Sequence, residues 1–237
     1  MRHTVSLVIS FYNESKNIKS LTEIVKKIKS KNDNLIEVIF VDNASIDDTP
    51  KVLREICKLN NYIFLSNDKS EGYGNGYFAG INKAKGDFIL INHSDLQFSF
   101  DIFDDFNRAI ENNKNIACFV KRTGRSFVSS FKTLIARFFC MIIFLHYVPE
   151  VNGQPKIFPK KIFNNIYKHP SGYSFDLFIY KLLRKNNIKI KRFNNRELPR
   201  LEGVSSWSKS FSSQLSNLLK YLKEAIYINK IIENMHG

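Results

Sequence analysis

The first half of the chain alternates short apolar runs with longer amphipathic segments, five times in succession. The apolar runs are rich in Ile, Val, Leu and Phe, and they lie at residues 5–9, 37–41, 62–65, 87–91 and 116–120. The segments after the first four runs, at 15–31, 47–59, 72–85 and 102–111, are predicted helices, most with apolar residues at helical spacing. This alternation predicts an α/β fold with a mostly parallel, Rossmann-like sheet and helices on both of its faces.

Beyond residue 124 the regular alternation stops. Helical patterns are predicted at 126–145, 175–185 and 208–232, and short extended pieces at 154–158 and 188–190. We therefore expect three parts. They are one half of a domain at 1–123, a second half of the same domain at 124–207, and a C-terminal helical extension at 208–237.

The basic residues are concentrated in the second part of the chain. The whole chain has a formal net charge of +14, but residues 119–237 hold 21 Lys and Arg against 6 Asp and Glu, an excess of +15. Such asymmetry indicates an anionic partner, such as nucleic acid, anionic lipid or a phosphorylated substrate. A solvated basic surface is the alternative interpretation.

The cysteines and apolar segments restrict the compartment. The three Cys lack metal-ligand spacing and lie in apolar surroundings, which predicts buried free thiols in a reducing compartment. The N-terminal segment lacks the long apolar stretch of a signal peptide. The apolar window at 134–148 is shorter than the ~20 residues that span a bilayer. It is either a buried helix or a helix at a membrane surface, so we expect a cytoplasmic protein that is peripheral at the membrane face.

Polar residues follow the end of each predicted strand, where ligands bind in such sheets. Asp42 ends the second strand, and its carboxylate could accept hydrogen bonds from a base edge or from ribose hydroxyls, as could Glu14. After the fourth strand, Asp95 is a candidate ligand for Mg²⁺ or Mn²⁺. Gln97 would point the same way if this segment were extended. His93 and Ser94 complete the polar stretch.

The glycine pattern argues against a nicotinamide cofactor. No glycine follows the first strand, where a dinucleotide-binding turn would lie, and the chain has no Walker loop. Glycines 72, 74 and 76 follow the third strand instead. Phosphate charge is therefore expected to be met by a metal ion and by basic side chains.

Several segments together resemble a known family. The stretches LVISFYNESKNI, IFVDNASIDDT, GYGNGYFAGINKAKGDFILINHSDLQ and NGQPKIF occur in the order seen in family 2 glycosyltransferases of the GT-A fold. The HSDLQ stretch, the later KRTGR stretch and the NGQPKIF stretch resemble the polyprenol-phosphate-mannose-synthase-like subgroup, which has an H-x-D-L-Q variant of the metal motif. The resemblance spans roughly residues 4–210.

The resemblance implies roles for residues at matching positions. Residues 1–123 would bind the nucleotide sugar, UDP- or GDP-linked, and residues 124–207 the acceptor. The nucleotide-sugar contacts would be Phe11, Tyr12, Glu14, Asp42 and Ser94. The metal ligands, for Mg²⁺ or Mn²⁺, would be Asp95, Gln97 and His93. The acceptor phosphate would meet Arg122, Arg125, Lys156 and Arg200. The sequence departs from the family pattern at Ser10, Asn43, His93 and Ser206.

The implied reaction is inverting transfer of a sugar from a nucleotide diphosphate to a polyprenyl phosphate at a membrane surface, with Asp95 and Asp176 as catalytic residues. A phosphate acceptor is already anionic near neutral pH and needs no strong base. If the acceptor were instead a glycan hydroxyl in cell-surface polysaccharide synthesis, Asp176 would be the best candidate for the base.

The sequence allows two other interpretations of the function. A basic nucleic-acid-binding domain could stack bases on Tyr73 and Tyr77, but no recognised nucleic-acid module is present, so we expect no nucleic-acid partner. A non-catalytic nucleotide-sugar binder is the third interpretation, motivated by His93. The expected partners are a nucleotide sugar, a lipid phosphate, an anionic membrane surface and a second copy of the chain.

Overall fold

The computed structural model describes residues 3–69, 72–124, 134, 138–145, 147–199 and 211–235, the first five residues of the last range by their backbone alone. Its centre is one seven-stranded sheet in the order β3-β2-β1-β4-β6-β5-β7. The strands are β1 (Val5–Phe11), β2 (Leu35–Asp42), β3 (Ile63–Ser66), β4 (Phe88–His93), β5 (Ile116–Thr123), β6 (Lys156–Pro159) and β7 (Lys189–Arg196).

Six of these strands run in the same direction. β1 pairs in parallel with β2 and β4, β2 with β3, and β5 with β7. β6 is antiparallel to both of its neighbours, β4 and β5. The predicted mostly parallel sheet is confirmed. The insertion of a reversed strand from the second half of the chain into its middle was not predicted.

Helices cover both faces of the sheet, as predicted. They are α1 (Ile18–Lys31), α2 (Thr49–Asn60), α3 (Tyr73–Lys83), α4 (Phe103–Ile110), α5 (Phe175–Lys185) and α6 (Phe211–Asn234). Successive residues of β1 face the two sides of the sheet in alternation. Leu7 and Ile9 belong to one apolar core with residues of α1, α2 and α4, and Val8 belongs to the other with residues of α3, α5 and α6. This two-sided burial explains why the strands read as nearly continuous apolar runs.

The helix predicted at 126–145 falls largely outside the described residues. Residues 138–144 are helical, and several of their apolar side chains are exposed. No helix in the described part of the chain combines the length and apolar character that crossing a bilayer requires.

The three cysteines are buried and free, as predicted. Burial raises the pKa of the Cys57 and Cys118 thiols to about 12 and that of Cys140 to about 11. These thiols are protonated near neutral pH, so none has the character of a nucleophile or metal ligand.

α3 lies against β1 and β2 at a point where only a glycine fits. A Cβ built on Gly80 would lie 2.3 Å from Cγ1 of Val8 and 3.1 Å from Cγ2 of Val41. Both valines are fully buried in the core. The missing side chain therefore sets how closely α3 approaches the sheet.

Substitution of Gly80 by alanine is expected to lower the free energy of unfolding by about 1–3 kcal/mol, because overpacking outweighs the higher helix propensity of alanine. Urea denaturation followed by circular dichroism measures the change. Asn82→Ala, at an exposed position of the same helix, is the control and should be neutral or slightly stabilising. A G80A variant as stable as the parent chain would show that α3 is free to shift outward.

Candidate functional site

The polar strand ends converge at one edge of the sheet, as the sequence predicts. In the parallel register, Phe11 of β1 lies beside Asp42 of β2, and Ser10 lies beside His93 of β4. The loops that follow β1, β2 and β4 are therefore neighbours in space. They bring together the predicted nucleotide-sugar contacts and the predicted metal ligands.

Asp42 is held in a fixed orientation at the end of β2. Its side chain is 2% exposed. The backbone N–H of Ser45 donates to Oδ1 at 3.2 Å, and the Ser66 hydroxyl donates to Oδ2 at 3.4 Å. A carboxylate with its own donors is preorganised to accept further hydrogen bonds without moving.

The two adjacent aromatic residues at the end of β1 differ in burial. The ring of Phe11 is fully buried and packs edge-on against Phe40 at 5.0 Å, whereas Tyr12 is 49% exposed. Of the two predicted aromatic contacts, only Tyr12 presents its ring to solvent. Asn13 takes a positive φ of 54°, and the backbone N–H of Glu14 donates to Thr49. This hydrogen bond attaches the loop after β1 to the start of α2.

The segment after β4 is a turn. Leu96 has a φ of 58°, and the Gln97 N–H donates to Oδ1 of Asp95 at 3.3 Å. The extended conformation considered for this segment is wrong, because the left-handed residue reverses the chain between Asp95 and Gln97. The Gln97 amide donates to the Leu198 carbonyl at 3.2 Å. Its assignment as a metal ligand stays a prediction, as does that of the buried Ser94 as a nucleotide contact.

The residues at this edge fit a metal ion that a ligand helps to hold. In the part of the chain that the structure describes, no group of three or more His, Cys, Asp or Glu side chains is placed to bind a metal. A Mg²⁺ or Mn²⁺ ion bound through one carboxylate and the oxygens of a diphosphate needs no such group. Asp95 fits that arrangement because it is a buried carboxylate at the strand-end edge. The donor set therefore fits a cation shared with a phosphorylated ligand.

A buried polar network lies beside His93. The Tyr73 hydroxyl lies 3.2 Å from Nε2 of His93 and 3.3 Å from Oδ2 of Asp176. Burial lowers the pKa of His93, while the Asp95 and Asp176 carboxylates oppose that shift. Burial raises the pKa of Tyr73 well above its ordinary value, and the neighbouring Asp176 adds to the effect. Tyr73 is therefore a neutral hydroxyl that links α3, β4 and α5.

Asp176 and Lys156 form a buried ion pair within this network. The Lys156 ammonium lies 2.6 Å from Oδ1 of Asp176 and donates to the Val151 carbonyl at 2.8 Å. The lysine is fully buried. Burial lowers its pKa, and the Asp176 carboxylate opposes the shift. The predicted acceptor-phosphate contact and the predicted base are thus paired with each other.

Gln154 closes the network from the β6 side. With its amide nitrogen donating to the Ile91 carbonyl at 3.1 Å, its oxygen accepts from the Tyr73 hydroxyl at 3.2 Å and from the Lys156 ammonium at 3.3 Å. The side chain is fully buried. Sequence reasoning assigned no role to Gln154, although it lies in the quoted NGQPKIF segment, and it considered Tyr73 only as a stacking surface for nucleic-acid bases.

Arg122 is engaged by two carboxylates. Its Nε donates to Glu150, and its Nη1 lies 3.6 Å from Oε2 of Glu197. The assignment of Arg122 to an acceptor phosphate stays a prediction, and such a phosphate would have to compete with these acids. Arg125 and Arg200, the other two predicted arginine contacts, lie outside the described residues.

Comparison with protein families places most of the chain in one of them. The family described as Glycosyl transferase family 2 matches residues 6–182. The putative glycosyltransferase CsbB of Bacillus subtilis is 26% identical over 218 residues, which cover 88% of this chain and 63% of that protein. The undecaprenyl-phosphate 4-deoxy-4-formamido-L-arabinose transferase of Proteus mirabilis is 33% identical over 95 residues, 39% of this chain and 29% of that protein. The chain thus spans less than two thirds of the length of these relatives.

Solved structures share the fold at low sequence identity. Glucosyl-3-phosphoglycerate synthase from Mycobacterium tuberculosis, in complex with Mn²⁺, UDP and glucosyl-3-phosphoglycerate, superposes with a TM-score of 0.69 at 15% identity, covering 97% of this chain and 80% of that one. The mannosyltransferase PcManGT from Pyrobaculum calidifontis, in complex with GDP-Man and Mn²⁺, gives a TM-score of 0.66 at 16% identity, covering 96% and 70%. The predicted GT-A type of α/β fold is confirmed.

Proposed function

The chain belongs to glycosyl transferase family 2, and on that premise we propose that it transfers a sugar from a nucleoside diphosphate to a lipid phosphate of the polyprenyl type. The observation that carries the choice of acceptor is the buried ion pair between Asp176 and Lys156. The donor half of the proposal rests on the strand-end edge and the acceptor half on this pair.

The donor would lie across the ends of β1, β2 and β4. Asp42, fixed by Ser45 and Ser66, would accept hydrogen bonds from the nucleoside, and the exposed ring of Tyr12 would cover it. Asp95, with His93 and Gln97 beside it, would hold a divalent cation on the diphosphate. Such a cation, when bound, stabilises negative charge on the departing diphosphate as a Lewis acid. Solved structures of the same fold contain Mn²⁺ with UDP or with GDP-Man, which supports this arrangement.

The class of acceptor follows from the contacts that Asp176 already makes. A hydroxyl acceptor must lose a proton as it attacks, so it needs a base with a free carboxylate oxygen. Asp176 already accepts from the Lys156 ammonium at 2.6 Å and lies within reach of the Tyr73 hydroxyl. The ammonium at this distance occupies a carboxylate oxygen that a general base would need to have free. A phosphate acceptor is ionised before it binds, and the lysine in the pair supplies a cation near it.

A lipid acceptor also accounts for the surface of the second half. Several apolar side chains are exposed between residues 138 and 147 and on α6. Among them are Phe138, Phe139, Ile142, Leu145, Tyr147, Leu219, Ile226 and Tyr227. The same half carries 21 basic against 6 acidic residues. Basic residues near an anionic membrane surface contribute about 1 kcal/mol each. A peripheral contact with the membrane would bring the lipid phosphate to the site.

The test is a transfer assay with UDP- and GDP-linked sugars, offered a polyprenyl phosphate and a glycan hydroxyl in parallel, with Mn²⁺ and product detection by mass spectrometry. We expect glycosylation of the phosphate acceptor only. Asp176→Asn should lower this transfer by about tenfold, since it removes the ion pair but keeps an oxygen that accepts from the Lys156 ammonium, whereas loss of a general base costs roughly 10²–10⁴-fold. Exclusive transfer to the hydroxyl, abolished by D176N, would assign the acceptor to the other class, and no turnover of any nucleotide sugar would refute the activity.

A further inference from the structure

The C-terminal helix reaches the start of α5 through one carboxylate. Ser174 immediately precedes α5 and is fully buried. Its hydroxyl donates to Oε2 of Glu224, on α6, at 2.6 Å. Within the described residues this hydroxyl makes no capping bond to its own helix. The contact therefore joins α5 to α6 through two residues that are 50 positions apart in the chain.

The loop before α5 is shaped around Glu224. A Cβ on Gly172 would lie 2.6 and 2.7 Å from the two carboxylate oxygens of Glu224, so a side chain at this position would displace the acid. On its other side the loop contacts the start of α3, because the Gly74 N–H donates to the Ser171 carbonyl at 2.6 Å. The loop is thus held between α3 and α6.

Glu224 itself has little freedom to move. The neighbouring residues of its helix, Tyr221, Ala225 and Ile228, are buried in the core shared with α5. Further along, the Lys185 ammonium at the end of α5 donates to the Ile232 carbonyl of α6 at 2.8 Å. A carboxylate at the N-terminus of α5 is also favoured by the helix dipole.

Asp176 lies in the turn that this contact holds. It follows Ser174 by two residues, within the first turn of α5, and carries the ion pair with Lys156 and the contact with Tyr73. A shift of the first turn would move the carboxylate relative to both partners. A misplacement of about 1 Å in a substrate-positioning group is enough to cost activity.

We propose that Glu224 is a positioning residue, which holds the first turn of α5 and thereby keeps the Asp176–Lys156 pair in register with the strand-end site. The role of that pair in binding the acceptor rests on the proposed function above. The hold of Glu224 on the first turn of α5 does not depend on that function. The C-terminal helix is then part of the acceptor site.

The experiment compares Glu224→Ala and Glu224→Gln with Glu233→Ala as the control. Glu233 is an exposed glutamate of the same helix that accepts from Asn229. The first readout is amide hydrogen exchange of residues 172–178, which needs no activity. E224A should exchange about tenfold faster there than the parent chain, since one partly buried hydrogen bond to a charged group is lost. E233A should leave this segment unchanged, and E224Q, which keeps an acceptor for Ser174, should lie close to the parent chain.

The second readout is kinetic. E224A should lower kcat/KM for the acceptor by about fivefold, the effect of one net hydrogen bond, with the dissociation constant for UDP and Mn²⁺ within twofold of the parent value. If Glu224 had only a structural role, E224A would lower Tm, but kcat/KM for the acceptor and the binding of UDP and Mn²⁺ would not respond differently. Unchanged exchange at 172–178 in E224A would overturn the inference whether or not the chain transfers sugars. Faster exchange in a chain without transfer activity would refute the proposed function and leave the positioning contact supported.

Discussion

Substitution of Lys156 by methionine is expected to lower the free energy of unfolding by about 3–5 kcal/mol, because it leaves Asp176 as a buried charge without its cationic partner. The lysine side chain is fully buried and that of Asp176 is 5% exposed, so water cannot replace the lost ammonium. Methionine retains most of the volume of the lysine side chain, whose ammonium lies 5.4 Å from the centre of the Phe119 ring. Urea denaturation followed by circular dichroism measures the change.

The double variant Lys156→Met with Asp176→Asn distinguishes charge from packing. Removing both charges should recover most of the lost stability, because replacement of a whole buried ion pair by neutral groups is often tolerated. Lys121→Met, at an exposed position on β5, should change stability by less than about 0.5 kcal/mol. If the double variant is as unstable as K156M, the loss comes from packing around β6 and the ion pair contributes little.

The sheet and its strand-end edge could be predicted from the sequence because both depend on local patterns. Buried parallel strands require continuous apolar runs, and these are visible at residues 5–9 and 87–91 without any knowledge of pairing. The polar residues after each run, such as Asp42 and Asp95, then fall at one edge by geometry. The edge that carries the candidate site could therefore be located before any contact was known.

The position of β6 could not be predicted in the same way. Its apolar residues Ile157 and Phe158 indicate a strand, but pairing with both β4 and β5 is a long-range contact that a local pattern does not encode. β6 begins at Lys156 and carries that lysine to Asp176. Under the proposed function, this inserted strand therefore assembles the acceptor side of the site.

The directions of individual side chains could not be predicted from the sequence either. Phe11 and Tyr12 are adjacent aromatic residues, but strand alternation sends the first into the core against Phe40 and leaves the second exposed. Likewise a left-handed Leu96, unusual for a branched residue, turns the chain between Asp95 and Gln97. Tyr73 was considered only as a stacking surface for bases, because its contacts with His93 and Asp176 join three separate elements and leave no local pattern in the sequence.

Substitution of Asp95 by asparagine is expected to lower the rate of sugar transfer by about 100-fold or more, since a metal on the leaving diphosphate supplies several kcal/mol of transition-state stabilisation. The fold should be retained, because the asparagine oxygen can still accept from the Gln97 N–H, as Oδ1 of Asp95 does at 3.3 Å. Isothermal titration of UDP in the presence and absence of Mn²⁺ checks the ligand assignment independently of turnover. We expect Mn²⁺ to strengthen UDP binding in the parent chain and to have little effect in D95N.

Asp101→Asn is the matched control for this prediction. Asp101 is an exposed carboxylate six residues further along the same segment, and it accepts from the Ser99 hydroxyl at 2.8 Å. D101N should leave both transfer and Mn²⁺-dependent UDP binding unchanged, because the Asp101 carboxylate is exposed and is not among the predicted metal or nucleotide contacts. If D95N still binds UDP more tightly with Mn²⁺, the cation is held by other groups, and His93 becomes the first candidate. If D95N and D101N are equally active, Asp95 serves the turn and not the chemistry, and the donor half of the proposed function loses its metal.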